Sequence, residues 1–293
     1  VALGTLFVAR RNEVAVPPVP VVETREMEAP VAAAVQGARA AVEADPRSAA
    51  AWGRFGRVCD AHDLFEPAEV AYGAAHRLDP EAFAWPYYRA RTQEILGAPF
   101  DSVRASHEAA LERSPAYAPA WIRWGDALLR DGKAVEAREA YDRAIALDEA
   151  LPLAHRGRGQ ALLAQGDAEG ARAPLERSLQ LQPGDGAAWG FLAQAKARLG
   201  DRDGAREAQE RSRENDPIHL TEDVVLSAIS AEARSADASF QRASLRMQQG
   251  DLAGAIPELE RVLSVRPDDV EAQVRLAACY ARTGRADEAI ARY

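Results

Sequence analysis

The chain has 293 residues and a formal net charge of −9, with 47% hydrophobic residues but only 6% aromatic ones. The acidic balance excludes the strongly basic face that a nucleic-acid binder needs. Alanine therefore supplies much of the apolar count, which suits thin helices packed closely. Lys133 and Lys196 are the two lysines, so arginine carries nearly all of the positive charge.

Residues 1–9 (VALGTLFVA) are apolar and are followed by Arg10 and Arg11. A bilayer span needs about 20 such residues. The stretch reads as the tail of a signal-anchor helix, as a mature end left by processing, or as a short arm docking on the body. Membrane contact through residues 1–11 is expected on the first reading. Residues 12–30 carry Pro17, Pro18, Pro20 and Pro30, each fixing φ and removing a backbone donor, so this part is an extended linker.

Residues 31–45 form a lone helix with Ala34, Ala38 and Ala41 on one face, stopped by Pro46. The unit from which the chain is built follows over residues 45–80. Trp52, Phe55, Gly56 and Cys59 make one helical stripe, and Ala68, Tyr72 and Ala75 make a second after a polar break. Pro80 lies 34 residues beyond Pro46. Two apolar stripes at helical spacing, split by a short loop, predict two antiparallel helices. The pattern resembles the tetratricopeptide (TPR) repeat, W-x2-L-G-x2-Y on a first helix, A-x3-F-x2-A on a second, and then Pro.

Later repeats follow in order. An irregular one opens at Trp85-Pro86-Tyr87-Tyr88, turns at Leu96-Gly97 and closes at Pro115. Trp121, Trp124, Gly125 and Leu128 then pair with Ala137, Tyr141 and Ala144. His155, Gly159 and Leu162 pair with Ala171, Leu175 and Ser178, and Trp189, Leu192 and Ala193 pair with Ala205, Gln209 and Ser212. Gly132, Gly166 and Gly200 sit at the turns within pairs, where a helix end wants φ > 0. The period fails between Pro217 and Pro267. Thr221, as a cap, and the apolar residues Val224, Val225, Leu226 and Ile229 predict an extra helix or half-helix within an inserted connector over residues 218–236. Ala243, Gly250, Ala255, Leu259 and Val262 restore the pattern, with Arg242 and Arg246 in place of two apolar residues. Leu276, Ala277, Tyr280 and Gly284 begin a last repeat that is interrupted at Tyr293, so a continuing chain is expected. The expected organisation is an arm and linker over 1–30, a repeat array over 31–217, the connector over 218–236 and a final block over 237–293. The fold class is all-α, a right-handed α-α superhelix of about seven full or partial repeats. Cys59 and Cys279 fall in repeats far apart, and no disulfide is expected between them.

Chemistry is nearly absent from the pattern. His62, His76, His107, His155 and His219 form no HExxH pair and have no cysteine at zinc spacing, and no phosphate loop or GxSxG occurs. Gly184-Asp185-Gly186 reads as an inter-repeat turn, and Asp268-Asp269 as a helix start. No catalytic residue, cofactor or metal is therefore expected.

In TPR proteins the first helices line a groove that receives partners. By register the groove candidates are Arg54, Arg57, Asp60, Tyr87, Arg91, Ile122, Arg123, Asp126, Arg130, Arg156, Gln160, Gln194 and Arg198. Such arginines could receive an acidic or carboxylate-ended segment through forked hydrogen bonds. Alternatively they are solvated, or pair with Asp60, Asp126 and neighbouring carboxylates. The resemblance implies a non-catalytic protein-interaction scaffold, anchored to or associated with a membrane complex. The repeats are similar to those of bacterial envelope TPR proteins, which implies a periplasmic location, with a cytoplasmic one as the alternative. Two other readings stay open: a soluble adaptor binding an acidic peptide in the arginine-lined groove, and the accessory region of a larger enzyme or cytochrome.

Overall fold

In the computed structural model, which describes residues 14–215 and 223–290, helices joined by short turns follow one another in packed pairs. Sixteen helices and no strand occur among the described residues. They form two compact units. One comprises the described residues up to Pro80 together with those from Ala228 onward, and the other runs from Glu81 to Ser227.

The first unit opens with α1 (Ala29–Ala44), α2 (Ala49–Asp60) and α3 (Phe65–Leu78). Ser48 starts α2 by accepting a hydrogen bond from the Ala51 amide at 3.1 Å, relieving one unpaired donor of the first turn. Trp52, Phe55 and Cys59 on α2 and Tyr72 on α3 are fully buried. The second unit holds α4 (Ala84–Ile95), α5 (Phe100–Arg113), α6 (Ala118–Arg130), α7 (Ala134–Leu147), α8 (Pro152–Ala164), α9 (Ala168–Leu181), α10 (Gly186–Arg198) and α11 (Arg202–Glu214). First helices of neighbouring pairs touch each other, α6 against α8 and α8 against α10. The short helix α12 (Val224–Ser230) follows. The first unit then resumes with α13 (Ala236–Gln248), α14 (Leu252–Val265), α15 (Val270–Arg282) and α16 (Ala286–Ile290). Long-range contacts join its two stretches: Glu28 accepts from the Ala236 amide at 2.7 Å, and the Arg234 amide donates to His62 Nε2 at 3.2 Å.

Local chemistry repeats with the fold. Gly166, Gly200 and Gly250 turn at φ of 87°, 85° and 81°. The aspartates that follow them, Asp167, Asp201 and Asp251, accept from the amides of Gly170, Gly204 and Gly254 at 2.8, 2.9 and 2.9 Å. One residue thus ends a first helix and the next starts its partner. A second device sits between repeats. The Nε1–H groups of Trp52, Trp121 and Trp189 donate to the carbonyls of Pro46, Pro115 and Pro183, at 2.9, 2.8 and 2.9 Å. His155 Nε2 meets the Glu149 carbonyl at 2.9 Å in the same place, and Gln273 Nε2 donates to that of Pro267 at 2.6 Å. Proline leaves its carbonyl available while supplying no donor of its own.

The described part of the connector contains one short helix. Among the described residues only Val224–Ser230 is helix between α11 and α13. Asp223 caps it by accepting from the Leu226 amide at 3.1 Å. The expected cap at Thr221, the arm over residues 1–11 and the chain's last residue lie outside the described residues. Arg242 and Arg246, in place of two apolar residues, meet carboxylates of the next helix and turn, Glu258 at 3.0 Å and Asp251 at 3.1 Å. Cys59 and Cys279 are buried and free, and burial pushes the Cys59 thiol up to about 12.

Candidate binding face of the second unit

The ring of Tyr141 on α7 lies between α6 and α8, and it needs glycine on both sides. A Cβ at Gly125 would come within 2.7 Å of the ring, and one at Gly157 within 2.2 Å. This close approach sets α6 beside α8. Between them lies a depression of about 360 Å³ lined by Ile122, Arg123, Asp126, Leu153, Arg156, Gly157 and Gln160. Ile122, Arg123, Asp126, Arg156 and Gln160 were all groove candidates from the register, and the fold brings them together.

Asp126 and Arg156 in the depression are oriented from behind. Asp126 accepts from the Tyr141 hydroxyl at 2.6 Å. Burial pushes its carboxyl up, against that hydrogen bond and the attraction of Arg156, Arg130 and Arg123. Arg156 Nη1 donates to Asp185 at 2.8 Å. Asp185 is wholly buried and also caps α10 through the amides of Ala187 and Ala188. The Gly184-Asp185-Gly186 turn therefore anchors an arginine of this face.

Arg123 reaches the other way, towards α4. There Phe83, Tyr87 and Tyr117 form an aromatic box: Phe83 stacks on Tyr87 at 4.9 Å, and Tyr117 meets them edge-on at 5.3 and 5.9 Å. The Arg123 guanidinium lies 6.0 Å from the Tyr87 ring centre, at the outer limit for a cation–π contact. Tyr87, expected to face an open groove, is only 1% exposed. What covers it is Asp223, whose carboxylate accepts from the Tyr87 hydroxyl at 2.5 Å, the Tyr117 hydroxyl at 2.7 Å and Arg123 Nε at 3.4 Å. Burial and the Asp223 hydrogen bond push the Tyr117 phenol up to about 12, and burial raises that of Tyr87 as well. Both hydroxyls therefore remain donors at neutral pH.

The other candidates are dispersed. Arg130 donates to Glu94 at 2.5 Å, and Glu94 also meets His107 at 2.5 Å. Arg198 donates to the Leu163 carbonyl at 2.6 Å. Gln194 is exposed on α10, and Arg91 is half-buried on α4. In the first unit, Arg54 and Arg57 lie 3.9 and 3.6 Å from Glu232. Asp60 does not line a groove: it is buried and accepts from the Tyr72 hydroxyl at 3.1 Å, because a carboxylate one turn after Gly56 falls beside the ring that the glycine admits. Tyr117 and Asp223 were missed by the register. Tyr117 precedes α6, where helical periodicity gives no signal, and Asp223 comes from the connector.

Among the described residues no group of His, Cys, Asp and Glu is placed to hold a metal ion, and no described helix is long and apolar enough to cross a membrane.

Models of the tetratricopeptide repeat match residues 162–217 and 246–293, and residues 100–152 and 122–186, together more than half of the chain. Neither reaches the repeat of Trp52. No curated protein sequence matches the chain. Among solved structures, a tetratricopeptide repeat protein from Parabacteroides merdae is similar at 14% identity and a TM-score of 0.56, covering 85% of this chain and 92% of that one. YrrB, described as a TPR protein with an unusual peptide-binding site, is similar at 19% identity and 0.54, covering 66% and 97%. MamA is similar at 21% identity and 0.53, covering 59% and 98%. Repeat models, helix pairing and structural likeness agree: the chain belongs to the tetratricopeptide repeat family.

Proposed function

We propose that the chain is a non-catalytic scaffold that holds an acidic, extended segment of a protein partner on the α6–α8 face. One observation carries the reading, the depression in which Arg123 and Arg156 flank the apolar Ile122 and Leu153, with Gln160 beside them. An extended peptide placed there finds apolar contact, an amide for its backbone and the Arg156 guanidinium for a carboxylate. The peptide-binding site named for YrrB supports the reading at the level of fold.

A peptide array scored for Asp and Glu content tests it. Acidic peptides should be enriched among binders, with affinity falling as salt rises. Arg156→Gln, which keeps a donor for Asp185, should weaken them about fivefold, an effect of roughly 1 kcal/mol. Binding without acidic enrichment, or untouched by that substitution, would remove the reading.

The apolar residues 1–9 followed by Arg10 and Arg11 favour a second element, attachment of this scaffold to a membrane assembly. The resemblance to bacterial envelope repeat proteins read in the sequence would put that assembly in the periplasm. Carbonate-resistant pelleting of the full chain is the expected result. Complete recovery in the supernatant argues for the soluble adaptor instead.

A further inference from the structure

The α4–α6 end of this face already holds a carboxylate, and it belongs to the same chain. Capping α12 requires only the bond from the Leu226 amide to Asp223. The remaining donors come from residues about a hundred positions earlier in sequence, Tyr87, Tyr117 and Arg123. They divide the two oxygens between them: Tyr117 and the Leu226 amide serve Oδ1, while Tyr87 and Arg123 serve Oδ2. Two residues on, the Tyr88 hydroxyl donates to the Val225 carbonyl at 2.8 Å, and the Val225 amide faces the Tyr117 oxygen at 3.5 Å. An aspartyl side chain and the backbone two residues after it are thus read together. With Asp223 removed, the buried Tyr87 hydroxyl would lose its acceptor, so the arrangement favours a replacement carboxylate over an empty site.

We propose that Tyr87, Tyr88, Tyr117 and Arg123 form a receptor for an aspartate-bearing segment of a protein partner, and that Asp223–Val225 occupies it in cis as a built-in competitor. The inference rests on the scaffold reading above and adds to it the ligand's anchoring residue and an internal competitor that lowers its apparent affinity. A partner segment enters only when the connector leaves, so apparent affinity is the intrinsic affinity scaled by the open fraction. The chemistry recurs within the first unit, where Glu232, from the same stretch of chain, faces Arg54 and Arg57.

The test uses the full chain and a fluorescein-labelled peptide of residues 218–230 (IHLTEDVVLSAIS), read by anisotropy. Asp223→Ala protein should bind the peptide about tenfold more tightly than the natural chain does, because the internal competitor is gone. Adding Tyr87→Phe should reverse most of that gain, and a peptide with Asn in place of its Asp should bind either protein several-fold more weakly. If Asp223→Ala fails to fold, Asp223→Asn keeps the volume and the cap oxygen, and a gain of about threefold is expected. Equal affinity of natural and Asp223-substituted proteins overturns the proposal. Should that occur while acidic-peptide binding dependent on Arg156 persists, the competitor falls and the scaffold stands. Loss of both removes the scaffold reading as well.

Discussion

The two ends of the candidate binding face in the second unit differ less in composition than in what reaches them. At the α4–α6 end, Arg123 and an aromatic box are covered by Asp223, which arrives from far along the chain. At the α6–α8 end, Arg156 beside Ile122 and Leu153 borders a depression, and its carboxylate partner, Asp185, stands behind it in the next repeat's cap. A local partner orients a charge and leaves the surface in front of it usable, whereas a distant partner occupies that surface. Arginine content alone does not distinguish the two cases.

The largest effect is expected where the face is built. Gly125→Leu forces side-chain atoms into the Tyr141 ring and should destabilise the second unit by about 3 kcal/mol through overpacking. Arg123→Leu, two residues away and part-buried, removes one of the donors to Asp223 and should cost about 1 kcal/mol. Equal shifts in thermal melting would break the assignment of one residue to the helix interface and the other to the face. Next comes the covered end. Tyr87→Phe keeps the stacking on Phe83 but removes a donor to a buried carboxylate, at a cost of about 2 kcal/mol. Amide exchange in α12 should quicken with it, while exchange in α8 should not. Identical protection in α12 would mean that Asp223 does not hold the connector.

Glu94 supplies a control away from both ends. Burial alone would raise its carboxyl, but hydrogen bonds and charge from His107 and Arg130 outweigh it and hold the group below the usual range. A carboxyl depressed in the folded state contributes stability above its unfolded value of about 4.5, and loses it as pH falls through the lower folded value. Glu94→Gln should therefore cost about 1 kcal/mol at pH 7 and flatten the loss of stability on acidification. An unchanged acid profile would show that this cluster is not what the folded state titrates. The smallest effect belongs to Trp121→Phe, which removes the tether to the Pro115 carbonyl and should cost about 0.5–1 kcal/mol.

Helix pairs were legible because each is written locally: apolar stripes at helical spacing, a glycine at the turn and proline near the end. Ile122, Arg123, Asp126, Arg156 and Gln160 were legible as one group because neighbouring repeats place equivalent positions side by side. Asp60 looked similar by register, but it sits one turn after a glycine that admits a tyrosine, and the phenol claims it. Asp223 could not be placed from sequence, since its partners depend on the path of a connector that follows no repeat. The recurrent spacing of Pro46 with Trp52, Pro115 with Trp121 and Pro183 with Trp189 was visible as a string of letters. Its meaning, an indole reaching back to a carbonyl, appears only in three dimensions.

That reach implies a looser alphabet than the consensus suggests. What the joint between repeats demands is a nitrogen-borne hydrogen at the right distance, and imidazole or carboxamide meets the demand as well as indole does. Repeats of this kind can shed their signature aromatic while keeping the latch it provided, and they then look degenerate to any eye trained on tryptophan.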